Sequence, residues 1–162
     1  QSVRRDLLLE FRASPGFCRA TEYFTHTSAE EILQEGIMFF RNEEFASASE
    51  MFERALCHAR CIGDGQVEAR ALGNLATADY KTNCIPSAIR RYRTCLQLLR
   101  QQGNQVSERK ILNYLVMCCI EATRWETAKL FLSQLSTVAV SEDNIRSLER
   151  LDTRIAEGMA GQ

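Results

Sequence analysis

From Ser28 onward, apolar residues recur at intervals of three and four, the mark of helices that bury one face. Three stretches carry the pattern most clearly: EEILQEGIMFFRNEEFASASEMFERAL from Glu30, RALGNLATADYKTNCIPSAIRRYRTCL from Arg70 and KILNYLVMCCIEATRWETAKLFLSQLS from Lys110. Displaced by 40 residues, with no insertion or deletion, they superpose. Ile32, Leu72 and Leu112 coincide, as do Phe45, Ile85 and Trp125, then Ala48, Ala88 and Ala128, then Phe52, Tyr92 and Leu132. The connectors GDGQVE from Gly63 and GNQVSE from Gly103 also align. Self-similarity at a fixed period points to a repeat architecture, in which each unit covers its apolar face with its neighbours.

Each unit reads as two helices. Ser28-Ala-Glu-Glu31 has the capping-box spacing and opens a first helix over about 29 to 41, with Ile32, Phe39 and Phe40 at helical intervals. A polar turn at Asn42 and Glu43 leads into a second helix carrying Phe45, Ala48, Met51, Phe52, Ala55 and Leu56, closed by Gly63, which can take the left-handed cap. Pro86 falls where the return helix of the second unit begins, a position at which its missing N–H is harmless. Thr123-Arg-Trp-Glu126 reads as another capping box. Gly36 and Ala76 on first helices, and Ala48, Ala88 and Ala128 on second helices, are placed where two helix axes would cross closely. The expected fold is all-α, an α-solenoid of three helical hairpins (28–67, 68–107 and 108–136) between an N-terminal helical cap segment (1–27) and a C-terminal capping helix (137–162). Ile145, Leu148, Leu151, Ile155 and Met159 form one stripe of that last helix.

These residues resemble the tetratricopeptide repeat. The likeness lies in the small mid-helix residue (Gly36, Ala76), the bulky residue opening the second helix (Phe45, Ile85, Trp125) and the series Ala48, Phe52, Ala55 with Ala88, Tyr92. The period exceeds the usual length of about 34. Together with EARALGNLA from Glu68, it is most similar to the long repeats of the Leu-Gly-Asn-repeat adaptors and the kinesin light chains. The third unit departs furthest, with Val116 at the small position, Cys119 where an aromatic is usual, as Asp79 is in the second unit, and Leu135 in place of the last Ala.

The resemblance implies that first helices line an inner groove. Leu33, Gln34, Ile37, Phe40 and Arg41 are then expected to face it from the first unit, Arg70, Asn74, Thr77, Tyr80 and Lys81 from the second, and Lys110, Asn113, Tyr114, Met117 and Glu121 from the third. In the Leu-Gly-Asn-repeat proteins, the positions of Arg70 and Asn74 hold residues that grip a peptide main chain, and that role is carried over to these two. Asn amides donate and accept together, while Arg and Lys hold carboxylates. The clamp by which some tetratricopeptide domains hold acidic chaperone tails is not matched. Leu33 and Ile37 stand where Lys and Asn are needed, and Tyr114 where Arg is.

Composition narrows the alternatives. Lys and Arg total 20 against 21 Asp and Glu, so no global field draws in nucleic acid or an anionic membrane. An RNA-reading repeat would need polar pairs in every unit, and the first unit offers Leu33 and Ile37. Arg90-Arg91-Tyr92-Arg93 reads as an outer, solvated face. Seven cysteines, an odd number without a signal peptide, favour a reducing, cytoplasmic setting. The apolar run near Leu115 to Ile120 is far shorter than the ~20 residues of a membrane span. The start at Gln1 leaves room for a fragment or a processed product. His26 and His58 sit in no nucleophile or metal motif, and Cys57, His58 and Cys61 lack the second ligand pair of a zinc site. Expected, then, is a non-enzymatic adaptor or scaffold domain with no cofactor, no metal, no small-molecule substrate and no nucleic-acid or membrane partner. It would bind a peptide or helix of another protein through Ile37, Phe40, Arg41, Arg70, Asn74, Thr77, Tyr80, Lys81, Lys110, Asn113, Tyr114 and Met117. The alternative is a structural segment of a longer solenoid, or a self-associating module.

Overall fold

The computed structural model describes residues 28–138 and 142–161, with side chains from Arg146 onward in the last helix. The cap segment expected over 1–27 and the contribution of Ile145 lie outside the described residues. The described chain is all helical: α1 (Ala29–Arg41), α2 (Phe45–Ile62), α3 (Gly65–Lys81), α4 (Ile85–Gln101), α5 (Gln105–Glu121), α6 (Trp125–Thr137) and α7 (Glu142–Ala160). Each helix packs on the next in chain order, α1 also touches α3, and α7 reaches α5 as well as α6.

The 40-residue period is written into the backbone. Glu43, Asn83 and Thr123 take positive φ of 64°, 61° and 54° at the same point of three successive turns. At each, the next residue's N–H closes back on the preceding helix: Glu44 on the Phe39 carbonyl, Cys84 on that of Asp79 and Arg124 on that of Cys119. Between units, Gly63 and Gly103 take φ of 74° and 67°, followed by caps from the Asp64 carboxylate to the Gln66 and Val67 N–H groups and from the Asn104 amide oxygen to Ser107 N–H. The Ser28 box forms as expected, with Ser28 Oγ accepting from Glu31 N–H at 3.1 Å and Glu31 returning a carboxylate to the Ser28 N–H at 2.7 Å.

The box expected at Thr123 does not form. Thr123 is the left-handed residue that ends α5, and Arg124, without a side-chain cap, precedes α6. The turn is dictated by the repeat, and Thr occupies a place that Asn83 fills one unit earlier. A β-branched residue there is strained.

Core packing follows the shared register. Ala48, Ala88 and Ala128 are fully enclosed, with Phe52, Tyr92 and Leu132 one turn on, and Ala76 and Val116 are enclosed on α3 and α5. At Gly36 α1 meets α2 closely: a Cβ there would lie 2.7 Å from the Phe52 ring. Gly158 plays the same part at the other end, where a Cβ would run into the Trp125 indole. Leu151 and Ile155 bury the inner stripe of α7, Leu148 packs beside them, and Met159 is left partly exposed. Arg60–Glu68 and Arg100–Glu108, both at 2.7 Å, are one ion pair repeated 40 residues on, and the Gln102 side-chain amide donates a hydrogen bond of 2.7 Å to the Gly65 carbonyl. Among the described residues, no helix is long and apolar enough to cross a membrane.

Two consequences can be measured by chemical unfolding. Gly→Ala within a helix ordinarily stabilises by about 0.5–1 kcal/mol. At Gly36 and Gly158 the sign is expected to reverse, by about 1–3 kcal/mol, because the methyl meets a packed ring, the enclosed Phe52 or the half-buried Trp125, whereas at Gly73, whose added Cβ would find its nearest neighbour at 3.6 Å, the ordinary gain is expected. Thr123→Asn is expected to stabilise by about 1 kcal/mol through relief of the left-handed conformation; no gain would show that Thr123 is unstrained.

Candidate functional site

The backbones of α3 and α5 do not approach each other as α1 and α3 do. The space left between them is an open groove of about 600 Å³, walled by α1, α3, α4 and α5. Seven of the twelve residues singled out in the sequence line it: Ile37, Phe40, Arg70, Asn74, Thr77, Lys110 and Tyr114. Helical periodicity explains the assembly, since 70, 74 and 77 fall on one face of α3, as do 110 and 114 on α5.

Its two ends differ. Ile37 and Phe40 make the apolar end, and the Phe40 ring stands edge-on to Phe45 with centroids 5.3 Å apart. Toward α5, Tyr114 lies flat on Tyr92, centroids 5.3 Å apart and planes 2° from parallel, so one ring is enclosed and the other partly open to the groove. The Tyr92 hydroxyl is 2.9 Å from that of Thr77, whose own proton goes to the Gly73 carbonyl at 2.8 Å, leaving Tyr92 as the donor between them. Burial pushes the Tyr92 phenol well above its ordinary range. Cys95, also in the wall, donates its thiol to the Ala69 carbonyl at 3.2 Å and is raised by burial to about 12.

The polar residues are unequally committed. Arg70 is held by Glu30 of the neighbouring unit at 2.6 Å, across a sequence separation of 40. Hydrogen bonds from Gln34 and then Arg70 hold the Glu30 carboxyl below the ordinary carboxylate range. The Asn74 amide and the Lys110 ammonium, by contrast, bond to nothing among the described residues and face the groove. Gln66, Gln102 and Ser107 add polar groups to the wall that sequence reasoning passed over. Glu30 was legible in retrospect: positions 30, 70 and 110 are equivalent, and their charges alternate in sign only across the first step.

The other singled-out residues fall elsewhere. Leu33, expected to face the groove, is fully enclosed between helices, because the apolar stripe of α1 runs through Ile32, Leu33 and Gly36. Gln34 is exposed and tied to Glu30 at 2.7 Å. Arg41 and Lys81 are exposed outside the groove lining. Asn113 lines a separate hollow of about 200 Å³ under α7. Met117 takes an Arg154 contact at 3.8 Å. Tyr80 donates to Glu121 at 2.5 Å, joining α3 to α5. Of the basic run on α4, Tyr92 is core and Arg91 pairs with Asp79 at 2.7 Å and Glu53 at 3.2 Å, so only Arg90 and Arg93 form the outer face expected of it. Cys118 and Cys119 are both enclosed.

No protein-family model matches this sequence, and no curated protein shows significant similarity to it.

The Tyr80–Glu121 bond yields a pH prediction. The hydrogen bond to Glu121 is the main cause that raises the Tyr80 phenol from 10.0 to about 12. Because the folded value lies above the unfolded one, this contribution to stability is full below about pH 10 and disappears as pH rises through 12. Titration of phenolate absorbance is expected to show one late tyrosine returning toward ordinary values in Glu121→Gln; an unchanged curve would mean that the bond does not persist in solution.

Proposed function

We propose that residues 28–136 are a tetratricopeptide-like array of three hairpins stacked as a solenoid, and that the chain is a non-catalytic adaptor or scaffold domain. Its groove captures a peptide or helix from a partner protein. The observation that carries this reading is the uncommitted Asn74 amide, set in the wall of an open groove between the apolar Ile37 and Phe40 and the cationic Lys110. A half-buried amide that bonds to nothing among the described residues leaves free hydrogen-bonding capacity that a peptide main chain can use in both directions. The apolar end offers a side-chain pocket, and the open face of Tyr114 a flat aromatic wall. Arg70 contributes its charge only after sharing or leaving Glu30. The 40-residue register and the small-to-large packing at Ala48/Phe52, Ala88/Tyr92 and Ala128/Leu132 support the repeat assignment.

A peptide array probed with the purified chain supplies ligands for the test. Hits are expected to shift the amide resonances of Asn74, Thr77 and Tyr114. Asn74→Ala with Lys110→Ala is expected to weaken binding by at least about tenfold, the loss of one or two net hydrogen bonds to charged or polar groups, with unchanged thermal unfolding. Hits whose shifts map outside the groove, with full affinity in the double variant, would refute the reading.

A further inference from the structure

Away from the groove, α2 carries Cys57 and Cys61 four residues apart and so on one face. Both are free thiols, Cys57 half-buried and Cys61 exposed, and one turn of helix sets them side by side. The pair belongs to the first unit alone, since Gln97 and Gln101 occupy the equivalent places on α4.

What such a pair can hold is set by geometry. Residues four apart on a helix keep their Cβ atoms about 5–6 Å from each other, whereas a disulfide needs about 3.5–4.5 Å. Direct oxidation would therefore unwind the turn that ends at the Gly63 cap and carries the Arg60–Glu68 pair. An atom that bonds both sulfurs spans the gap with the helix intact. Zinc asks for four ligands, and the described residues contain no cluster of three or more His, Cys, Asp and Glu side chains able to hold a metal. Trivalent arsenic bearing one organic group asks for two thiols.

We propose that Cys57 and Cys61 form a helical dithiol site for monosubstituted trivalent arsenicals, closed as a ring over one turn of α2. Exposed Cys61 makes the first bond and Cys57 the second. Each step forms one As–S bond and breaks one As–OH bond, the thiol proton leaving with the hydroxide as water; two thiols and one R–As(OH)₂ give the cyclic dithioarsenite and two waters, with no change of oxidation state. The second bond is intramolecular and held in place by the helix, so the ring resists monothiols that would strip a single bond. Cys84 is exposed and has no cysteine one helical turn from it in sequence, and Cys95, Cys118 and Cys119 are enclosed. The proposal is independent of the groove reading.

The test uses the full, reduced chain with Cys18→Ser, because Cys18 lies outside the described residues, and phenylarsine oxide as probe. Intact mass after challenge with excess glutathione is expected to show one retained phenylarsenic group, released by dimercaptopropanol, and the loaded chain is expected to unfold at higher temperature. Cys57→Ser and Cys61→Ser should each lose the adduct to glutathione while unfolding like the parent; Cys84→Ser should keep it. Should a serine disturb the turn, Cys57→Ala and Cys61→Ala give the same readout. Stripping of the parent by glutathione, or retention by either single variant, would overturn the proposal.

Discussion

The architecture depends on how closely two helices can approach where a small residue meets a large one. At Gly36 the clearance to the Phe52 ring leaves no room for a methyl, and Ala48, Ala88 and Ala128 repeat the small-residue contact through the chain. Dispersion falls off steeply with distance, so this approach is what lets the flanking Leu, Ile and Tyr side chains reach native density. The thin, Ala-rich α3 is the other side of the same constraint. Flanked by α2 and α4, and touched by α1, it buries Ala69, Ala71, Ala76 and Ala78, where larger residues would force its neighbours apart.

From that spacing the groove follows. With α1 against α3 but α3 and α5 further apart, a channel opens whose floor comes from Cys95 and Leu99 of α4. Hydrogen bonds from Tyr80 to Glu121 and from the Gln102 amide to the Gly65 carbonyl also join successive units, beside the apolar packing of both helices on α4. The ion pairs Arg60–Glu68 and Arg100–Glu108 are about half exposed on their Arg side and contribute little to stability singly. Their effect is on register, since each joins the end of one hairpin to the beginning of the next at the same place.

Helix boundaries and core positions were legible because the period of apolar residues, the caps and the repeat all point to the same places. Residues such as Ser28, Gly63, Pro86 and Ala88 carry their structural reason in their own chemistry. Leu33 and Thr123 were not legible, for different reasons. Leu33 lies at the border of a stripe wide enough to include it, and only the approach of neighbouring helices decides which border residues are enclosed. Thr123 satisfies a local capping pattern, but the turn established by the other units demands a left-handed residue there, and tertiary register prevails over local preference. The groove was legible as a set of positions but not as a set of partners. Side chains that are equivalent by translation, such as Glu30 and Arg70, can meet across units, and pairing of that kind emerges only once the helices are packed together.

That last point bears on which residues would matter in the proposed binding role. Translation by one unit brings Glu30 to Arg70, an attraction; the next step relates Arg70 to Lys110, two cations. Arg70 already has an anion at 2.6 Å, and its ion pair is roughly half exposed. A ligand competing for it gains only the difference between two similar contacts. Asn74 and Lys110 give up no partner among the described residues when a ligand arrives. Under the peptide-capture reading the specific affinity therefore rests on Asn74 and Lys110 more than on Arg70, the reverse of what charge alone suggests. The reason is the competition between Glu30 and any incoming group for one guanidinium.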